Sequence, residues 1–176
     1  MDFVYGSGIT AFDTARVYGQ SETLLGKWIE EKNMREKIVI LSKCGHPDLK
    51  TWEKRVNEKA MWEDLETSLK ELRTDFLDIY LLHRDDPDVE TGEIVEIFNG
   101  MHAEGKIGAF GGSNWTHERI EQANEYAYKH NLIPFTVSSP NFWSGRPGRR
   151  SRGAADVSRF RTEKRSKPRE WYRKHE

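Results

Sequence analysis

From its first residues to Trp143 the chain alternates between two patterns of apolar positions. Short, nearly continuous apolar runs read as strands covered on both faces, and apolar positions three and four apart read as helices with one buried face. Ile9-Thr10-Ala11-Phe12-Asp13-Thr14-Ala15, after the turn Gly6-Ser7-Gly8, is predicted as a first, short buried strand. Ser21 is suited to cap a helix running through Leu24, Leu25, Trp28 and Ile29. Lys37-Ile38-Val39-Ile40-Leu41-Ser42 is the second strand. Met61, Leu65, Leu69 and Leu72, spaced 4, 4 and 3, mark one face of the second helix. Phe76 to Leu82 is a third strand, and Ile94, Ile97, Phe98 and Met101 belong to a helix that stops near Gly105, a natural residue just past a helix end. Ile107 to Phe110 runs as a strand into Gly111-Gly112-Ser113-Asn114, Ile120, Ala123 and Ala127 line a fourth helix, and Phe135-Thr136-Val137-Ser138 starts a fifth strand.

The order is βαβαβαβαβ, which implies an α/β fold with a parallel sheet and right-handed crossovers. An open doubly wound sheet and part of a (β/α)8 TIM barrel both fit. A nucleotide-binding doubly wound sheet calls for a Gly-rich turn after its first strand. Here Arg16-Val17-Tyr18 follows instead, which favours the barrel. At 176 residues the chain is short of a complete barrel, which needs roughly 200–250.

Charge divides the chain at the same point where the periodicity ends. Residues 144–176 hold 12 Lys+Arg against 4 Asp+Glu, a net of +8, while residues 1–143 hold 16 against 25, a net of −9. No apolar period survives beyond Ser144, so residues 1–143 read as a partial barrel and 144–176 as a basic tail, disordered in isolation. The tail has only Phe160, Trp171 and Tyr172 as aromatics, which does not favour nucleic acid as a partner. No apolar run approaches the ~18 residues of a membrane span. The N-terminus lacks the pattern of a secretory signal, and the single Cys44 excludes an intramolecular disulfide framework; together these point to the cytoplasm.

Each of the first four strands ends on a polar group. The ends fall at Asp13, Lys43, His83 and Ser113-Asn114, separated by 30, 40 and 30 residues, the size of a β-α unit. In barrel enzymes the carboxyl ends of the strands form the reactive rim. Side chains alternate along a strand. Asp13 therefore shares a face with Ile9 and Ala11, Lys43 with Val39 and Leu41, and His83 with Leu77, Ile79 and Leu81. If those faces line a barrel, the three ionisable groups converge above its core and Cys44 points toward the helices. Taken singly, Asp13 could cap a loop, Tyr18 could be a packed aromatic, Lys43 could reach solvent along its stem, and His83 could be a satisfied core histidine. His46, His102, His117, His130 and His175 show no metal-ligand spacing, so no metal is assigned.

Four segments together resemble the aldo-keto reductases. Phe12-Asp13-Thr14-Ala15-Arg16-Val17-Tyr18-Gly19-Gln20-Ser21-Glu22 is similar to the family's DTAxxYGxSE segment. Ser42-Lys43 resembles its strand-end lysine, Leu72 through His83 its LxTDYxDLYxxH strand, and Gly105-Lys106-Ile107 through Asn114 its GKIRxxGxSN segment. The resemblance covers about residues 8–142, corresponding to strands two to six of eight, and so implies a chain truncated at both ends. Ser139 stands near the position of a family glutamine that holds the nicotinamide amide. An altered reading frame past Trp143 would account for the jump in charge.

The resemblance implies a catalytic tetrad of Asp13, Tyr18, Lys43 and His83, with Ser113 and Asn114 binding the cofactor NADP(H). Tyr18 would donate a proton to a small carbonyl substrate, an aldehyde or ketone, as the nicotinamide cofactor delivers hydride. A phenol is a poor acid at neutral pH, and a nearby ammonium improves it. The alternative is a non-catalytic remnant or interaction module, self-associating through open sheet edges.

Overall fold

A computed structural model describes residues 1–139 of the chain. The basic segment 144–176 and the junction at Trp143 lie outside the described residues. Five strands form one parallel sheet in the order β1-β2-β3-β4-β5: β1 (Ala11–Asp13), β2 (Val39–Cys44), β3 (Leu77–Leu82), β4 (Ile107–Ser113) and β5 (Val137–Ser139). The sheet curls into a half-barrel, and the chain is a partial (β/α)8 barrel. Helices α2 (Ser21–Lys32), α3 (Glu58–Leu72), α4 (Thr91–Ala103) and α5 (His117–Lys129) are the crossovers. A short α1 (Asp2–Gly6) and a single 3-10 turn (Arg35–Lys37) complete the described elements.

The core lies between the sheet and the helices. Ile40, Tyr80, Leu82 and Phe110 alternate out of the sheet into a cluster with Met61, Leu65, Ile94 and Phe98, all fully buried. Full burial of an apolar side chain of this size stabilises by roughly 1.5–3 kcal/mol. Phe98 stacks on Phe110 at 5.3 Å, and Phe135 meets both edge-on. Gly26 sets the approach of α2 to α3, since a Cβ there would lie 2.2 Å from the Glu71 carbonyl oxygen.

The helical spacings hold: Met61, Leu65, Leu69 and Leu72 are all buried, and α4 closes through Glu104 onto Gly105 at φ 72°. Three details differ from the sequence reading. Leu24 is exposed, because the buried stripe of α2 runs through Leu25, Trp28 and Ile29. Ser21 is the first helical residue rather than the cap, and its hydroxyl accepts a hydrogen bond from Thr14 Oγ1 at 3.0 Å. Regular pairing of β1 covers Ala11–Asp13 only, and Ile9, Ala11 and Asp13 are exposed rather than buried because β1 is outermost in the described sheet, although the Thr14 and Arg16 N–H groups still donate to the Leu41 and Lys43 carbonyls.

Candidate active site

The other face of the sheet carries Leu41 and Lys43 on β2, and Ile79 and Leu81 on β3. Its register sets Leu41 beside Ile79, Lys43 beside Leu81, and Asp13 beside Leu41. Lys43 is thus one pleat nearer the carboxyl rim than Asp13, and its long side chain spans that offset. Lys43 Nζ pairs with Asp13 Oδ1 and also donates to the Thr14 carbonyl at 2.9 Å.

The turn after β1 brings the phenol. Ala15 is buried, Tyr18 N–H donates to the Ala15 carbonyl at 2.9 Å, and Ser21 N–H donates to that of Tyr18 at 3.1 Å. Gly19, at φ 58°, makes the turn into α2. Lys43 Nζ lies 5.2 Å from the Tyr18 ring centroid, and the residue Tyr18 is 49% exposed. His83 follows β3 directly, its N–H donating to the Cys44 carbonyl at 2.8 Å. Its ring meets that of Tyr18 edge-on, 5.5 Å between centroids. Asp13, Tyr18, Lys43 and His83 therefore form one cluster.

Burial governs the electrostatics of His83. The residue is 7% exposed. Desolvation, followed by the Lys43 charge and smaller contributions from His46 and Arg84, pushes its pKa down from 6.5 to about 4. The ring is neutral at pH 7, and its Nδ1 is buried without a hydrogen-bond partner among the described residues. Cys44 points the other way, into the helix-side core, where burial drives its pKa up and keeps the thiol protonated.

Ser113 and Asn114 end β4. Ser113 Oγ donates to the Ser139 carbonyl at 3.4 Å, and Asn114 N–H to the same oxygen at 3.0 Å. Asn114 adopts φ 60°, and its Nδ2 donates to Ser113 Oγ at 3.2 Å. A primary amide has two N–H donors and one carbonyl acceptor. Among the described residues one N–H is used, which leaves a donor and an acceptor, the complement of a carboxamide. The donor set fits a nicotinamide.

His46 had no assigned role in the sequence reading. It lies in the segment after β2, three residues past Lys43, and its ring packs 5.0 Å from that of His83. Buried Asp64 on α3 fixes the start of that segment. Its Oδ2 accepts the Gly45 N–H at 3.0 Å, and its Oδ1 accepts from Arg55 at 2.7 Å.

A parallel half-barrel whose strand ends gather an acid, an amine, a phenol and an imidazole defines the class: a barrel protein with a polar site on its carboxyl rim. The chain belongs to the aldo/keto reductase family, whose profile matches residues 1–145. It is 36% identical over 131 residues to the aldo-keto reductase YhdN of Bacillus subtilis, covering 72% of this chain and 39% of that protein. It is 32% identical over 140 residues to the oxidoreductase YdhF of Escherichia coli, covering 75% and 45% respectively. An aryl-alcohol dehydrogenase of Pestalotiopsis microspora is 30% identical over 145 residues, covering 78% and 38%. The chain spans about two-fifths of the length of these relatives. Among the described residues no helix is long and apolar enough to cross a membrane.

Proposed function

We propose that this chain carries the proton-donating half of an NADP(H)-dependent carbonyl reductase site, reducing aldehydes or ketones to alcohols in the cytoplasm. The observation that carries the reading is the contact of one buried ammonium, Lys43, with both the Asp13 carboxylate and the Tyr18 ring. The hydride taken up by the carbonyl carbon would come from a reduced nicotinamide when one is bound. Tyr18 gives its phenolic proton to the carbonyl oxygen, so the product is an alcohol and the residue is left as a phenolate. The Lys43 charge stabilises that phenolate, and Asp13 balances the charge of Lys43 between turnovers. Half-exposed Tyr18 regains its proton from solvent. His83, held neutral and with no partner at Nδ1 among the described residues, would carry its proton on Nε2 and donate it as a hydrogen bond to the carbonyl oxygen. Ser113 and Asn114 would hold the nicotinamide carboxamide.

The test is nucleotide binding followed by turnover. NADPH added to the full chain should raise its thermal midpoint and change the cofactor fluorescence, since a ligand selective for the folded state stabilises it. Tyr18→Phe should abolish carbonyl reduction and spare binding. No shift at millimolar NADPH would leave the non-catalytic remnant as the reading. Undiminished turnover in Tyr18→Phe would show that another group donates the proton.

A further inference from the structure

Among the described residues two rings touch His83, and only one belongs to the proposed tetrad. Tyr18 meets it at 5.5 Å with an interplanar angle of 82°, and His46 at 5.0 Å with an angle of 64°. Edge-to-face pairs at such separations are favourable and directional, worth about 0.5–1.5 kcal/mol each beyond the area they bury. The His83 imidazole itself has little else to orient it, because its Nδ1 has no hydrogen-bond partner among the described residues. Histidines that act through one nitrogen are ordinarily oriented by a hydrogen bond at the other.

His46 is itself well fixed. Its Nδ1 lies 2.8 Å from the Pro47 carbonyl oxygen. A carbonyl can only accept, so Nδ1 carries the proton and the ring plane is set. The segment bearing it is tied down on both sides. Asp64 of α3 accepts from Gly45 N–H and from Arg55, while Lys54 donates to Asp86 Oδ1 at 2.8 Å in the segment after β3. These tethers hold His46 against the strand end that bears His83.

We infer that His46 is a positioning residue, whose ring, packed on His83, does the orienting that a hydrogen bond at Nδ1 would otherwise do. This rests on the reductase reading for its kinetic consequence, not for its structural one. Losing the His46 ring opens one side of His83 to water and lets the imidazole swing. Its Nε2–H then no longer points steadily at the carbonyl oxygen. An aromatic ring of similar breadth at position 46 restores the packing without restoring any proton chemistry.

The experiment compares the full chain with its His46→Ala and His46→Phe variants by two measurements. The first is NMR titration of histidine-labelled protein, which needs neither cofactor nor activity. The charged and titratable groups around His83 are Lys43 from β2, Tyr18 from the turn after β1, Arg84 beside it in the chain, and His46; the first three are unchanged in both variants. In His46→Ala the His83 midpoint should rise from about 4 toward 6.5, and in His46→Phe it should stay low. The second is steady-state carbonyl reduction. His46→Ala should lower kcat about 10- to 100-fold, the scale of losing an orienting partner, with NADPH affinity unchanged, and His46→Phe should recover most of that loss. Equal His83 midpoints in the full chain and His46→Ala, or a Phe variant no better than Ala, would overturn the inference. Absent turnover in the unsubstituted chain would overturn the reductase reading instead and leave the NMR arm to decide this one.

Discussion

The Lys43 ammonium and the Asp13 carboxylate, thirty positions apart in the chain, form an ion pair that is buried at one end only: the lysine side chain is 4% exposed and the aspartate 57%. The asymmetry puts the burden of desolvation on the lysine. Removing the partner of a buried charge costs more than removing the charge itself. Asp13→Asn should therefore destabilise the protein by about 1–3 kcal/mol, and Lys43→Met by less. Urea unfolding of both variants and their double mutant measures this, and a Lys43→Met variant less stable than Asp13→Asn would refute it.

His83 makes stability depend on pH in a defined window. Its folded value of about 4 lies below its ordinary 6.5. Above pH 6.5 the ring is neutral in both states and its contribution is constant. Between 6.5 and 4 the unfolded chain binds a proton that the folded chain refuses, so stability falls as pH falls. Below 4 no further loss comes from this group. The full span is on the order of 3 kcal/mol. Thermal midpoints measured from pH 8 to pH 4 should fall less steeply for His83→Gln than for the unsubstituted chain.

Glu22 gives the opposite sign. Its carboxyl is buried, Oε1 accepts from Ser42 Oγ at 2.5 Å, and Oε2 has no partner among the described residues. Desolvation raises its pKa above 4.5. Its contribution is complete below pH 4.5 and is lost as pH rises through the folded value. Glu22→Gln should gain in thermal midpoint on the unsubstituted chain at pH 8, and the gain should vanish at pH 4.

Gly111 faces Val137 across the β4–β5 ladder, and a Cβ there would sit 1.8 Å from the Val137 carbonyl oxygen. Gly111→Ala must push β5 away, at a cost of about 1–3 kcal/mol or more. Because Ser139 on β5 accepts from both Ser113 and Asn114, nicotinamide binding should weaken as well. Alanine at this position with unchanged NADPH affinity would separate β5 from the cofactor site.

Among the described residues β1 is paired on one side only. An outer strand with free backbone groups invites pairing with another chain. Light scattering should show association that grows with protein concentration, and a monodisperse monomer would refute it.

The element order and the faces of Lys43 and Cys44 could be read from the sequence because both depend on strict periods: two along a strand, and three to four along a helix; the strand order could not, since a doubly wound sheet has the same element order as a barrel. Alternation sent Lys43 and Cys44 to opposite faces, as found. The ends of β1 and β5 were less legible. Each is an outermost strand of the described sheet, so pairing rather than side-chain pattern decides where regular structure stops. The five residues of α1 have too few positions to show a period. Contacts from far along the chain hold them: Trp28 Nε1 donates to Asp2 Oδ1 at 2.6 Å, and Tyr5 packs edge-on against the Trp28 ring. His46 was invisible for a related reason. Loop residues follow no period, and contacts from far along the chain, among them the Asp64 and Lys54 tethers, bring that imidazole to His83.

Among the described residues every strand after β1 lies beside its immediate predecessor in the chain, so each pairing partner is made before the strand that joins it. The acid, phenol, amine and imidazole all belong to the first 83 residues. All four precede β4 and β5 in the order of synthesis.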